Sequence, residues 1–167
     1  MKKKMYFSIG VSGSGKSFYY RNRFLDDFND IRREVCGDVS DCSQDYKVWK
    51  MADSRLKETL NTHGYGIFDA TGVSQSGRNK FLKKYVGVHK TAIVFEPNVS
   101  LSKERIKNDI STGVDRSKVP MFVIDRQFES FKNSVIKDAK WDGLWNKVAK
   151  KKALENLKNE FDEVVIV

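Results

Sequence analysis

The residues best suited to chemistry form one run near the start of the chain, Gly10-Val11-Ser12-Gly13-Ser14-Gly15-Lys16-Ser17. Its spacing, G-x-x-x-x-G-K-[ST], is that of a loop that cradles polyphosphate. Gly10, Gly13 and Gly15 free the backbone, here and at Ser12 and Ser14, to turn N–H groups toward phosphate oxygens. The helix that follows adds partial positive charge at its N-terminus. Lys16 is placed to reach the β- and γ-phosphates of a nucleoside triphosphate, and the Ser17 hydroxyl to hold Mg²⁺.

Moving a phosphoryl group needs two things more: a group that orients or deprotonates the acceptor, and positive charge over the phosphorus. Asp69 follows the apolar pair Ile67-Phe68 and is the candidate acid for Mg²⁺, with helix capping as its plainer use. Asp38 follows Glu34-Val35-Cys36-Gly37, which reads as a short second strand. It is therefore expected at the carboxyl edge of a sheet, where it can accept the proton of an attacking hydroxyl. A helix cap is the alternative, and Asp41 and Asp45 are the next candidates for the base. Arg116, inside the irregular stretch from Ser111 to Lys118, is the candidate lid arginine, able to bridge phosphate oxygens bidentately. Arg105, in the helix before it, is placed to approach the adenine or the phosphates.

These groups need a scaffold of alternating elements. Met5 to Ile9 reads as the first strand, and the run from Ser17 to Phe28 as a helix with an apolar face at Tyr20, Phe24, Leu25 and Phe28. Residues 45–61 carry Val48, Trp49, Ala52, Leu56 and Leu60 on one face, and Ile67-Phe68 leads into a third strand. A helix from Ser76 to Tyr85, a strand from Thr91 to Phe95 and a helix over about 99–109 follow. Pro120 opens another helix with Ile124, Phe128 and Phe131 inward. Trp141, Leu144, Trp145 and Val148 have the spacing of one more helix face, and Val164-Val165-Ile166-Val167 reads as a buried last strand. The expectation is an α/β fold: three layers, with a five-stranded, mainly parallel sheet between helices and ligand at the carboxyl ends of its strands.

Composition narrows the class. A chain of 167 residues without linker, repeat or low-complexity tract reads as one domain over 1–167, and its aromatic content excludes disorder. Thirty-one Lys and Arg against twenty-two Asp and Glu leave a charge of +9, which favours polyanionic partners such as nucleic acid. The basic start Met1-Lys2-Lys3-Lys4 precedes an apolar run too short for a signal peptide or membrane span. Cys36 and Cys42, the only cysteines, lack metal-site spacing, and His63 and His89 lack metal-like companions. A reduced, cytoplasmic protein without membrane or disulfide partners is expected. The lysines Lys147 and Lys150 to Lys152 read as a solvated helix face, with tracking of a phosphate backbone as the alternative.

Taken together, these positions resemble the kinase domain of 5′-hydroxyl polynucleotide kinases, within the wider P-loop family that includes zeta-toxin-like kinases. The resemblance runs from the Gly10–Ser17 loop through Asp38, where that family keeps its general base, to Phe68-Asp69-Ala70-Thr71-Gly72 and then Arg78. It continues through Arg105 to Arg116-Ser117-Lys118-Val119-Pro120, similar to an arginine-bearing lid, and closes at Phe161 to Ile166. It implies a single-domain, phage-type member using ATP and Mg²⁺ to phosphorylate the 5′-OH end of DNA or RNA. Any repair partner would then be a separate chain. Two positions depart from the pattern: Asp41 stands where such kinases often carry an arginine for an acceptor phosphate, and Gly72 stands where they carry an asparagine. The alternatives are the same chemistry on a nucleoside, a small metabolite or a hydroxylated base in DNA, and an NTP-binding switch with slow hydrolysis.

Overall fold

In β1 (Lys4–Ile9), Met5, Phe7 and Ile9 join one buried cluster, and Tyr6 packs against another, as the alternation of strand side chains requires. The computed structural model describes residues 2–20, 28–114, 116–137 and 145–167, without the side chains of 28–30. The other strands are β2 (Tyr65–Phe68), β3 (His89–Val94) and β4 (Glu163–Ile166). They form a parallel sheet of order β2-β1-β3-β4, with β1 in its interior.

Helices flank this sheet. The phosphate loop runs into α1 (Lys16–Tyr20), and α2 (Phe28–Cys36) packs on α3 (Asp45–His63). The Met5, Phe7 and Ile9 side buries Val48, Ala52, Leu56 and Leu60 of α3 with Phe81 and Leu82 of α4 (Gln75–Leu82). Its centre is aromatic, with ring centroids 5.3 Å apart for Phe7 and Phe68 and 3.9 Å for Phe68 and Phe81. A second cluster gathers Tyr20, Ile93 and Phe95 against Tyr6 and Ile67. A third, Val11 with Ile106 and Ile124, fastens the phosphate loop to α5 (Val99–Ser111) and α6 (Met121–Ser134).

Glu34-Val35-Cys36 is the last turn of α2 rather than a strand. Phe28, Ile31 and Val35 recur at helical spacing, and Ile31 is buried with Val35 packed against the same core. Gly37, at φ +78°, ends the helix by donating its N–H to the Arg33 carbonyl at 2.8 Å. Four strands, not five, are therefore present among the described residues. Asp38 consequently follows a helix, and its expected place at the end of a second strand is corrected.

Other boundaries shift for local reasons. α1 is described to Tyr20, and Phe24 and Leu25 of the expected helix lie outside the described residues. So do Trp141 and Leu144; Trp145 precedes α7 (Lys147–Leu157), and Val148 is exposed rather than inward. The Asn146 side chain accepts from Val148 N and Ala149 N, starting α7 in a phase that buries Ala149, Ala153 and Leu157. β4 is a half-exposed edge strand rather than a buried one.

Arg78 forms a clamp within the core. Its guanidinium is buried and pairs both oxygens of Glu160, at 2.8 Å from Nε and 2.8 Å from Nη2. Its Nη1 also donates to Gly72 O at 2.9 Å and to Ser134 Oγ at 3.1 Å. The turn after β2, the end of α6 and the segment before β4 are thus joined through one side chain. A planar five-donor group can do this where an ammonium could not.

Candidate functional site

The register of β1 and β2 builds the first half of the site. Phe7 lies opposite Phe68, so Ser8 and Asp69 come side by side at the carboxyl ends of the two strands. The buried Ser8 hydroxyl lies 3.0 Å from Phe68 O and 3.1 Å from Asp69 Oδ1. The Ser17 hydroxyl meets the other oxygen, Asp69 Oδ2, at 3.1 Å. Asp69 and Ser17, the expected metal pair, are thus brought together.

One carboxylate and one hydroxyl fit Mg²⁺, which keeps waters and phosphate oxygens in its shell rather than filling an all-protein cage. The described residues hold no group of three or more His, Cys, Asp or Glu side chains able to bind a metal.

The phosphate loop has the expected backbone. Gly13 and Gly15 adopt φ of +81° and +98°, and a Cβ on Gly13 would lie 2.6 Å from the Ser102 carbonyl oxygen. The Ser12 N–H donates to Gln127 Oε1 of α6 at 2.8 Å, and Arg105 Nη1 reaches Gly13 O at 3.4 Å. The Ser14 hydroxyl oxygen is buried without a hydrogen-bond partner. Lys16 lies across the loop, its Nζ donating to Gly10 O at 3.0 Å and Val11 O at 2.8 Å. Burial pulls the Lys16 ammonium down from its ordinary 10.5 to about 8, against an upward pull from Asp69 and with a further downward push from Arg116. An orphaned hydroxyl and a desolvated ammonium in a glycine loop fit a polyphosphate: its oxygens would satisfy the first and neutralise the second.

The second half of the site is an open cleft of about 490 Å³ between the turn after α2 and the segment after α5. Asp38, Arg33 and Ser40 line one side, and Arg116 and Lys118 the other. The Asp38 Oδ1 accepts the Ser40 N–H at 2.7 Å. Arg116 pairs through Nη1 with Asp109 of α5, and its Nε is buried without a hydrogen-bond partner. Arg116 thus lines the cleft that holds Asp38 while its charge is felt at Lys16. Asp41 does not line the cleft: its carboxylate bonds Ser43 N at 2.7 Å, and the Ser43 hydroxyl and N–H hold it below the usual carboxylate range.

Gly72, the second departure, has a steric cause. At φ +58° a Cβ would lie 2.3 Å from the Ser8 carbonyl oxygen and 2.6 Å from the Phe7 ring, so no side chain fits where this turn packs on β1. Sequence reasoning missed Ser8, Ser40, Asp109 and Gln127. Ser8 carried a signal, as a lone polar residue in the apolar run from Met5 to Ile9. Lys151 and Lys152, by contrast, pair with Glu155 on a solvated helix face, as expected.

The profile of a family described as an AAA domain matches residues 5–134. Among solved structures, a chain of the Pnkp1/Rnl/Hen1 RNA repair complex superposes with a TM-score of 0.65 at 19% identity. That likeness covers 78% of this chain and 44% of the other, so this chain spans less than half the length of that relative. A gluconokinase from Sinorhizobium meliloti 1021 aligns over 95% of this chain and 93% of its own at 16% identity, but with a TM-score of 0.41, too low to argue from. No curated protein matches the sequence. Among the described residues no helix is long and apolar enough to cross a membrane.

Proposed function

We propose that this chain, which belongs to the AAA-domain family, is an ATP-dependent kinase that transfers the γ-phosphate to a 5′-hydroxyl end of a polynucleotide. The observation that carries this reading is the cleft in which one carboxylate, Asp38, shares walls with Arg33, Arg116 and Lys118. Three cations around one candidate base suit an anionic acceptor better than a neutral metabolite. The net charge of +9 points the same way, and the neighbour of TM-score 0.65 belongs to an RNA repair complex.

The loop Gly10–Ser17 and Lys16 would hold the triphosphate, with Arg105 beside it, and Ser17 and Asp69 would hold Mg²⁺. Bound there, the ion offsets phosphate charge. Asp38 takes the acceptor proton as the acceptor oxygen bonds the γ-phosphorus. The bond from that phosphorus to the β–γ bridging oxygen breaks, and ADP leaves with the electron pair. Arg116, aimed from the lid, meets charge that develops on the transferring group. Arg33 and Lys118, unlike Asp41, line the cleft in which the acceptor's own phosphate would lie.

The test is transfer of label from γ-labelled ATP to 5′-OH oligonucleotides, nucleosides and water. Label on oligonucleotides is expected, with apparent affinity falling as salt rises because strand binding releases counterions. Label on nucleosides or metabolites alone would replace the acceptor, and label in free phosphate alone would leave a slow NTP-hydrolysing switch.

A further inference from the structure

We infer that Ser40 is a positioning residue that fixes the candidate base and the lid arginine relative to each other, an inference that rests on the kinase reading above. Besides accepting from Cys42 Sγ at its carbonyl, Ser40 makes one bond to Asp38 and one to Lys118. Its N–H donates to Asp38 Oδ1 at 2.7 Å, and its hydroxyl oxygen accepts the backbone N–H of Lys118 at 3.1 Å. The second bond joins residues 78 apart in sequence, both of which line the cleft with Asp38 and Arg116.

The geometry makes this link more than a local turn. Asp38 sits in a turn ended by no strand, so the sheet does not fix it against the phosphate loop. The lid segment has no regular structure between α5 and α6 at residues 116–120. Arg116 is held from one direction by Asp109, and its neighbour Lys118 from another by Ser40. In-line transfer needs base and arginine on the same pair of reacting atoms within a fraction of an ångström. A single residue that bonds the carboxylate with its backbone and the lid with its side chain meets that need without touching substrate.

The two bonds can be separated by mutation. Ser40→Ala removes the lid bond and keeps the N–H that Asp38 accepts. It should lower kcat about tenfold or more, since small misplacement of reacting groups has costs on this scale, with the KM for ATP within about twofold. Ser40→Thr, which retains the hydroxyl, should recover most of the rate. In an Arg116→Ala background, Ser40→Ala should cost almost nothing further, because the group it aims is gone. Equal losses in both backgrounds, or no loss in either, would overturn the inference.

A second readout does not depend on turnover: hydrogen exchange of the Lys118 amide should accelerate in Ser40→Ala and be restored in Ser40→Thr. Unchanged exchange would overturn the link itself. If the wild type phosphorylates no hydroxyl, the kinase reading falls separately, and the exchange experiment still decides whether Ser40 holds the lid.

Discussion

Asp69 and Asp38 are both carboxylates just beyond the end of an element, yet they are held by different means. Asp69 follows β2, whose register with β1 is set by parallel pairing, and each of its oxygens meets a serine hydroxyl on a neighbouring segment. Asp38 follows a helix and is held by the N–H of Ser40, within its own turn. The same contrast separates Lys16, buried on the carbonyls of its own loop, from Arg116, aimed by one carboxylate on α5. On the function proposed above, the nucleotide side is therefore fixed by backbone pairing and the acceptor side by side chains joining turns. Damage to the first should remove binding, and damage to the second should remove rate.

Lys16→Ala breaks the nucleotide side at its charge and should produce the largest effect, loss of measurable triphosphate binding by calorimetry and of transfer with it. Full turnover in this variant would refute the phosphate-loop reading outright.

Asp38→Asn should leave ATP affinity near that of the wild type while transfer falls by roughly 10²–10⁴-fold, the usual worth of a general base. If nucleotide binding vanished instead, Asp38 would belong with the metal, and the contrast between the halves would collapse.

Arg116→Ala should lower kcat by about 10²-fold, the worth of one preorganised donor, with a smaller change in ATP affinity. Arg116→Lys should return only part of the rate, since an ammonium keeps charge but not the planar fork that can bridge two phosphate oxygens. Wild-type kcat in Arg116→Ala would reduce the segment to a surface loop.

A smaller effect follows from the Lys16 ammonium, lowered to about 8 in the folded protein from 10.5. Above pH 8 the free protein gives up this proton, and a triphosphate must bring it back. ATP affinity should fall by up to about tenfold per pH unit from pH 8 upward, with proton uptake visible as buffer-dependent binding heat. Stability of the free protein runs the other way. Between about 8 and 10.5 the unfolded chain holds the proton that the fold releases, so stability rises with pH across that window. A flat affinity profile through pH 9 would mean that Lys16 stays charged.

The smallest effect belongs to Asp41→Arg, which should lower the oligonucleotide KM by no more than about fivefold, as expected of one exposed charge, and leave the ATP KM alone. A large gain would place position 41 on the acceptor after all.

What was legible in the sequence follows the same division. The glycine loop, the strand before it and Asp69 could be read because a motif of fixed spacing is attached to elements with plain periodicity. The segment that carries Arg116 was legible as a break between two helices. The element before Asp38 was misread because Glu34-Val35-Cys36 is too short for periodicity to separate a strand from a last helical turn. Ile31, one turn earlier, carried the deciding spacing. The bonds from Ser40 to Lys118 and from Asp109 to Arg116 could not be read at all, since no local pattern records which distant backbone group a serine accepts from. Gly72 looked like a lost functional side chain until the packing of its turn on β1 gave it a steric reason.

The Arg78 clamp bears on how the chain comes into being. Its carboxylate partner, Glu160, lies 82 residues downstream and beyond the segment that the family profile spans. As the polypeptide leaves the ribosome, the phosphate loop, Asp69 and the segment that carries Arg116 all emerge before that partner does. Until Glu160 arrives, the guanidinium can enter the interior only as an unpaired charge, at a cost of several kcal/mol. A nascent chain that already carries every residue of the proposed site must therefore wait for Glu160 before its interior can close.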